Sequence, residues 1–183
     1  MSNWDIAIGE TRIRAEIKER YGGSTNSGIE TSRTTPNIMI YTDPIEGPKF
    51  GYIDGWVEEG RCFEYTGQGK SGDQLIKGKN RSLLQHKSTN KAIRLFERSG
   101  IRERNTKEHM YIGEFEIDSE NPFFRRTAPD EEGGLRTVVV FRLFPVGDVL
   151  QTDHETSELP APKPPASVTK VRADTAAADR EAR

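Results

Sequence analysis

Hydrophobic and polar residues alternate along several short segments, and this period of two predicts a chain built mainly of β-strands. Well-patterned strands are predicted at 37–42 (NIMIYT), 92–98 (AIRLFER) and 109–118 (HMYIGEFEID), the last with a bulge at Gly113. The run 136–143 (RTVVVFRL) is the strongest strand in the sequence. Because it is apolar on both faces, we expect it to lie centrally in the sheet.

Weaker patterns predict the remaining strands and connections. A short strand is expected at 4–8, and strands at 50–57 and 61–66 are expected to form two successive hairpins with the preceding strand. The segment 121–126 (NPFFRR) is interpreted as a connector with packed phenylalanines, and 128–135 as a loop.

Two helical segments are predicted. Residues 11–20 carry an apolar stripe at helical spacing, with Thr11 as the N-cap and a Gly-Gly pair as the stop signal. Asp73 is expected to cap a second helical segment that runs through Lys77 and continues over 80–86. The predicted fold is therefore α+β, a twisted, partly closed β-barrel with two or three helices on its rim.

Composition divides the chain into three parts: an N-terminal extension and helix (1–20), one folded domain (21–149) and a tail (150–183). From residue 151 onward there is no aromatic residue, and four prolines fall between Pro160 and Pro165. Such a segment is typical of a proline-rich linker or a disordered tail. A linker of this kind suggests that a further domain follows.

Charge and chemistry exclude several function classes. The net charge of −2 argues against general polyanion binding, so a nucleic-acid role requires local positive charge. One cysteine fits a reducing cytoplasm, and no apolar run is long enough for a membrane span. The histidines, His86, His109 and His154, lack metal-ligand spacing, so we expect no metal site, no cofactor and no HNH nuclease centre.

The stretch 51–80 carries the candidate chemistry. It contains two aromatic-and-glycine clusters, GYIDGW (51–56) and FEYTGQG (63–69). Tyrosine and tryptophan beside glycine offer flat faces on a backbone-lined surface, which suits a planar ligand. A tight hairpin with core aromatics is the alternative interpretation.

The ordered motifs of this stretch resemble those of the SRA (YDG) domain, a reader of modified cytosine in DNA. These are GYIDGW, F-x-Y-T-G-x-G, the Asp73-Gln74 pair and N-R-S-L (80–83), and the likeness covers roughly 21–143. The chain is most similar to the SRA-like domain found N-terminal to HNH nuclease modules in McrA-type modification-dependent restriction enzymes. SRA domains share a broad architecture with PUA domains.

The resemblance implies a pocket for a base flipped out of the duplex. The two stacking tyrosines correspond to Tyr52 and Tyr65, and Asp54 is expected to accept from the cytosine N4 amino group. Asp54 lies one position closer to the tyrosine than in eukaryotic members, and Trp56 is either a pocket wall or core. The predicted flipped-base residues are Tyr52, Asp54, Trp56, Tyr65, Thr66 and Gly67.

A polar loop and a basic stretch flank this pocket in the sequence. The loop lies within 22–37, and Lys70 to Lys87 is the clearest concentration of positive charge. The groove-reaching insertion of eukaryotic members is replaced here by GQGKSG, so Ser24–Ser27 is expected to fill the gap left by the flipped base. The predicted DNA-backbone and groove residues are Ser24, Thr25, Asn26, Ser27, Arg33, Lys70, Ser71, Gln74, Lys77, Lys79, Asn80 and Arg81.

The sequence therefore predicts a non-enzymatic reader of double-stranded DNA carrying 5-methylcytosine or 5-hydroxymethylcytosine. It would be the recognition module of a modification-dependent restriction endonuclease, with an HNH nuclease elsewhere in the full protein and no membrane partner. Three alternatives stay open: a PUA-like RNA-binding module, an enzyme acting on a flipped base, and a protein-interaction module. A homodimer is compatible with cleavage of both strands.

Overall fold

The structure, a computed structural model, describes residues 4–152. The predicted linker and the domain expected beyond it fall almost wholly on residues 153–183, outside the described residues. No helix within residues 4–152 is long and apolar enough to cross a membrane.

Nine strands, two α-helices and two short 3-10 helices make up the described part of the chain. The strands are β1 Thr11–Ile13, β2 Ile29–Thr31, β3 Asn37–Thr42, β4 Gly55–Val57, β5 Cys62–Thr66, β6 Ala92–Arg102, β7 Thr106–Ile117, β8 Phe123–Pro129 and β9 Leu135–Val149. The helices are α1 Arg14–Tyr21 and α2 Gly78–Leu84, and the 3-10 helices are Gly47–Phe50 and Glu103–Asn105. The predicted α+β class is confirmed.

All nine strands belong to one mixed sheet. Its main path runs β2-β3-β6-β7-β9-β5-β4, with β1 added on β7 and β8 added on β9. The β3–β6 pair is parallel, and the other strand pairs are antiparallel. The sheet is not closed into a barrel, and the fold is the SRA-like one that the sequence predicts.

The core lies on both faces of the sheet, as the strand period requires. In β3, Ile38 and Ile40 face the larger apolar cluster, whereas Met39 and Tyr41 face a smaller one that includes Trp4. The strand β9 is central, as predicted, because β5, β7 and β8 all pair with it.

The first helix begins later than the sequence predicts. Residues Thr11–Ile13 form β1 and pair with β7, so α1 begins at Arg14 rather than after Thr11. The side chain of Glu16 accepts a 3.1 Å hydrogen bond from the Ile13 amide and satisfies that free N–H group at the helix start. Pairing with β7 therefore determines the structure of these three residues, although the apolar stripe favours a helix.

Four other sequence predictions need correction. Residues 4–8 form no strand, and 50–57 contains the end of a 3-10 helix and an irregular segment before β4. The segment 121–126 enters β8, which pairs with β9. Asp73 caps no helix because its carboxylate accepts a 2.8 Å hydrogen bond from the Thr137 amide. The bulge at Gly113 is confirmed by the shifted register there.

The centre of β9 should dominate stability. Phe141 is fully buried in the larger cluster, whereas Phe144 on the same strand is half-buried. We expect Phe141→Ala to lower the free energy of unfolding by about 3–5 kcal/mol because it leaves a cavity. Phe144→Ala is the matched control and should cost much less in urea denaturation. Equal losses would contradict the assignment of Phe141 to the core and of Phe144 to a position at its edge.

Candidate functional site

A cavity of about 860 Å³ opens at one end of the sheet. Its walls come from the ends of β3 and β5, the 24–28 loop, the Gly47–Phe50 helix and the β6–β7 hairpin. This volume lies in the range of pockets that enclose small-molecule ligands. The lining includes Arg14, Asn26, Tyr41, Thr42, Phe50, Tyr52, Asp54, Tyr65, Thr66, Gly67, Lys70, Lys107 and His109.

The two predicted stacking tyrosines both line this cavity but differ in burial. The Tyr65 ring is only 3% exposed, and its hydroxyl lies 2.8 Å from the Gly28 carbonyl oxygen and 3.1 Å from that of Tyr41. Tyr52 is half-buried, and its hydroxyl donates a 2.8 Å hydrogen bond to the Gly69 carbonyl. Burial raises the pKa of both phenols. Tyr65 therefore also fastens the 24–28 loop, and Tyr52 is the more accessible ring.

Asp54 lies between the two tyrosine segments with its carboxylate held on both sides. Its Oδ2 accepts a 2.7 Å hydrogen bond from the Thr42 hydroxyl, and its Oδ1 accepts one of 2.7 Å from the Thr66 amide. Burial raises the pKa of Asp54, and the hydrogen bonds together with the Arg126 charge oppose that shift only in part. Each carboxylate oxygen keeps a lone-pair site, so Asp54 can still accept from a ligand amino group.

The backbone at the cavity wall between Gly67 and Gly69 is held by two buried amides. Gln74 donates to the carbonyl oxygens of Gly67 (2.7 Å) and Gly69 (3.1 Å). Asn80 accepts a 2.7 Å hydrogen bond from the Gln68 amide and donates one of 3.0 Å to its carbonyl. A Cβ at Gly67 would lie 2.8 Å from Asn80 Oδ1, which explains why glycine stands there.

This arrangement corrects the prediction that Gln74 and Asn80 contact the DNA backbone. Both side chains are buried, with exposures of 3% and 4%, and their polar atoms bond to the protein main chain. They shape the wall on which a ligand would rest.

Arg136 is a site residue that sequence reasoning missed. Its guanidinium donates to the carbonyl oxygens of Gly69, Gly72 (3.2 Å) and Phe50 (2.9 Å), and its central carbon lies 5.8 Å from the centre of the Tyr52 ring. Arg136 therefore connects the two aromatic-and-glycine clusters, 51–56 and 63–69. The signal available in the sequence was an arginine at the start of the most apolar predicted strand, 136–143.

Glu30 was also missed, and it organises the 24–27 loop. The carboxylate is 3% exposed and accepts hydrogen bonds from the amide and hydroxyl groups of Ser24 and Ser27 at 2.7–2.9 Å. Arg14 and Lys79 each place a nitrogen 3.5 Å from it. Burial would raise the pKa of Glu30, but the hydrogen bonds from Ser27 and Ser24 outweigh it and hold the pKa at about 2.

The Glu30 network changes the roles open to the loop. The side chains of Ser24 and Ser27 turn towards Glu30. Thr25, Asn26 and Ser27 line the cavity, and of these three Thr25 and Asn26 are exposed. The part of the loop that is free to meet a ligand is thus reduced to its two-residue tip.

The remaining predicted contacts separate into surface and core positions. Five are exposed on the protein surface, namely Arg33, Lys70, Ser71, Lys77 and Arg81. Lys79 is bound to Ser27 and Glu30. Trp56 does not line the cavity; its ring packs against Phe63 and Phe115 at 5.4 and 5.7 Å, so its core interpretation is the one that the structure favours.

Another part of the cavity wall is charged. Lys107 lies 3.2 Å from Asp43 and 2.9 Å from Glu46, and Arg98 lies 3.2 Å from Asp43. His109 lies beside this cluster, where burial lowers its pKa to about 4 and its Nδ1 has no hydrogen-bond partner among the described residues. Within residues 4–152, no group of three His, Cys, Asp or Glu side chains could hold a metal ion.

Comparison with known proteins identifies the family. The sequence matches the family described as ScoMcrA-like, SRA domain, over residues 9–160. No curated protein matches the chain.

Three similar solved structures show the same fold. The sulfur-binding and SRA domains of ScoMcrA with phosphorothioated DNA match at a TM-score of 0.59 and 22% identity, over 78% of this chain and 40% of that one. The phosphorothioation-dependent restriction endonuclease ScoMcrA matches at 0.58 and 24%, over 78% and 28%. The SUVH5 SRA domain with fully methylated CG DNA matches at 0.52 and 16%, over 83% and 96%.

The Glu30 network predicts an acid-dependent loss of stability. A carboxyl with a pKa depressed to about 2 stabilises the fold above its unfolded pKa, and this contribution disappears as the pH falls from about 4.5 to about 2. We expect Glu30→Gln to be less stable at pH 7 by roughly 3 kcal/mol, with the difference shrinking across that window. Urea denaturation at several pH values measures it. The exposed Glu132→Gln is the control, and a pH-independent difference would contradict the assignment.

Proposed function

The chain belongs to the ScoMcrA-like SRA domain family, and we propose that it reads duplex DNA by taking a modified cytosine out of the helix into the cavity. The first candidates are 5-methylcytosine and 5-hydroxymethylcytosine. The observation that carries the proposal is the convergence of Tyr52, Asp54 and Tyr65 on one cavity of about 860 Å³.

The energetics of base extrusion favour an aromatic pocket. Taking a base out of the stack costs a few kcal/mol, and stacking on an aromatic side chain returns about 1–3 kcal/mol per base. Tyr52 supplies an accessible ring, and its hydroxyl is already fixed to Gly69. Because Tyr52 is held before the ligand arrives, little side-chain entropy is lost on binding.

Asp54 would select cytosine through a hydrogen bond. Cytosine presents an N4 amino donor where thymine presents a carbonyl oxygen, so a fixed carboxylate acceptor distinguishes the two. Hydrogen bonds from the Thr42 hydroxyl and the Thr66 amide, one to each oxygen, fix that carboxylate in place. The backbone of Gly67–Gly69, held by Gln74 and Asn80, forms the adjacent wall.

The exposed basic residues supply phosphate contacts. Lys70 lines the cavity, 5.3 Å from the centre of the Phe50 ring, and Lys77 and Arg81 are exposed further along the chain. Ser71 and Arg33 complete this proposed surface. Such contacts orient the duplex without reading its sequence.

We further propose that the domain is the recognition module of a modification-dependent restriction endonuclease. The support is its likeness to one such enzyme, ScoMcrA, of whose chain this sequence spans 28%. In this arrangement the described domain binds, and an HNH nuclease elsewhere in the full protein would cleave.

The proposal predicts a preference for modified duplex. Fluorescence anisotropy at one fixed salt concentration would compare duplexes with cytosine, 5-methylcytosine or 5-hydroxymethylcytosine at the same position. We expect at least about tenfold tighter binding to a modified duplex, which corresponds to about 1.4 kcal/mol. Fixed salt matters because phosphate contacts alone bind all three. Equal affinities would refute base reading, and preferential binding of a matching RNA would favour the RNA-binding alternative.

Asp54 predicts a pH dependence of binding to the 5-methylcytosine duplex. A protonated Asp54 loses an acceptor for the N4 amino group, so the affinity for this duplex should fall as the pH is lowered through its raised pKa. Asp54→Asn should weaken this binding by about tenfold or more and remove its dependence on that titration. The exposed Glu131→Gln is the control. An Asp54→Asn protein that binds the duplex like the wild type would remove Asp54 from the reading site.

A further inference from the structure

The three residues that follow β9, 150–152, form an exit segment that is anchored to other parts of the sheet. The Leu150 amide donates a 2.9 Å hydrogen bond to a carbonyl of β7, and the Leu150 side chain packs against the larger apolar cluster. The side chains of Gln151 and Thr152 each donate a hydrogen bond to a different element. The chain therefore leaves β9 along a fixed path.

Gln151 holds the turn between β4 and β5. Its Nε2 donates a 2.8 Å hydrogen bond to the Gly60 carbonyl, and a Cβ at Gly60 would lie 2.6 Å from its Oε1. Glu58, Glu59 and Gly60 all have positive φ, at 54°, 58° and 81°, which costs free energy for residues other than glycine. Within residues 4–152, β4 pairs only with β5, so a contact at this turn also helps to fix an edge strand.

The β4–β5 hairpin begins and ends at the proposed reading site. Asp54 directly precedes β4, and its Oδ1 accepts the 2.7 Å hydrogen bond from the amide of Thr66, the last residue of β5. The turn at the other end is held by Gln151 and by the 2.8 Å ion pair between Arg142 and Glu58. The position of Asp54 therefore depends in part on Gln151.

Thr152 is connected to Asp54 by a second route. Its hydroxyl donates a 3.0 Å hydrogen bond to Oε2 of Glu97, a buried carboxylate on β6. Glu97 lies opposite Thr42 in the parallel β3–β6 pair, so the two side chains project from the same face of the sheet. The Thr42 hydroxyl donates the 2.7 Å hydrogen bond to Asp54 Oδ2. Each oxygen of the Asp54 carboxylate is thus bound by an element next to an anchor of the exit segment.

From these two routes we infer that the exit segment is a clasp on the reading site: Gln151 and Thr152 position Asp54, and binding of the base in turn tightens the exit segment. The inference rests on the proposed function. A bound base and an anchored exit segment restrict the same edge strand, so each lowers the entropy cost of the other. Linkage then requires that each strengthens the other by the same factor.

The clasp gives the domain a means of signalling an occupied cavity to the chain beyond it. A bound ligand influences a neighbouring part of a protein only if that part differs between the free and the bound state. The exit segment meets this condition, because it is bonded to the hairpin that carries Asp54 and to the strand beside Thr42.

The test uses the full chain and three duplexes at one salt concentration, with 5-methylcytosine, cytosine or thymine at the same position. Thymine presents a carbonyl oxygen in place of the N4 amino group, so its duplex measures phosphate contacts without the Asp54 hydrogen bond. The variant Gln151→Ala/Thr152→Val removes both side-chain hydrogen bonds, and Gln151→Ala/Thr152→Ser restores the hydroxyl. Asp148→Asn, at an exposed position of β9, is the control.

We expect Gln151→Ala/Thr152→Val to weaken binding to the 5-methylcytosine duplex by roughly fivefold and to the thymine duplex by less than about twofold. The serine variant should recover part of the loss, and Asp148→Asn should bind like the wild type. With saturating DNA, the amides of residues 150–152 should exchange hydrogen at least about threefold more slowly in the 5-methylcytosine complex than in the thymine complex. Asp54→Asn should remove this difference.

Four outcomes would overturn the inference while leaving the proposed function in place. Equal weakening on the 5-methylcytosine and thymine duplexes would reduce the clasp to a general support of the fold, and unchanged binding would show that Asp54 does not depend on it. A serine variant as weak as the valine variant would remove Thr152 from the clasp. Equal exchange rates in the two complexes would show that base binding does not reach the exit segment.

The proposed function itself fails in a different way. If the wild type binds the cytosine and 5-methylcytosine duplexes equally, the domain does not read the modification, and this inference fails with it.

Discussion

The geometry of the site depends on satisfying the backbone of a segment that has left the sheet. Between Gln68 and Gly72 the chain pairs with no strand, and residues Gln68–Lys70 form part of the cavity wall. Gln74, Asn80 and Arg136 replace the missing ladder with side-chain hydrogen bonds. A buried peptide group without a partner costs free energy, so these three side chains allow an irregular segment to keep one shape.

The same principle governs the charges around the cavity. Glu30 is buried and stable as a carboxylate because Ser24, Ser27, Arg14 and Lys79 surround it. Asp54 has fewer donors, so burial raises its pKa. The two carboxylates therefore have different roles. Glu30 holds the 24–27 loop, whereas Asp54 lines the cavity and can still accept a hydrogen bond.

Sequence analysis predicted strands from patterns within short segments, but it missed two site residues whose roles depend on the folded structure. The apolar runs at 37–42 and 136–143 predicted β3 and β9, and the Tyr52, Asp54 and Tyr65 segments do meet at one cavity. It missed Arg136 because its partners Phe50, Gly69 and Gly72 are distant in the chain, and it missed Glu30 because only the folded structure shows that this carboxylate is buried. The 11–20 stripe was equally compatible with a longer helix, and only pairing with β7 decides otherwise.

The parallel β3–β6 pair has a kinetic consequence. It joins Asn37 to Ala92 and Thr42 to Glu97, with β4, β5 and α2 lying between them in the chain. Closing so long a stretch loses much chain entropy before contacts repay it, and non-local pairing of this kind slows folding. During synthesis, residues 24–54 must wait for β6 to leave the ribosome. The part of the cavity wall on β5 waits longer still, because β5 pairs with β9, so the cavity becomes rigid late and newly made chains are exposed to proteolysis there.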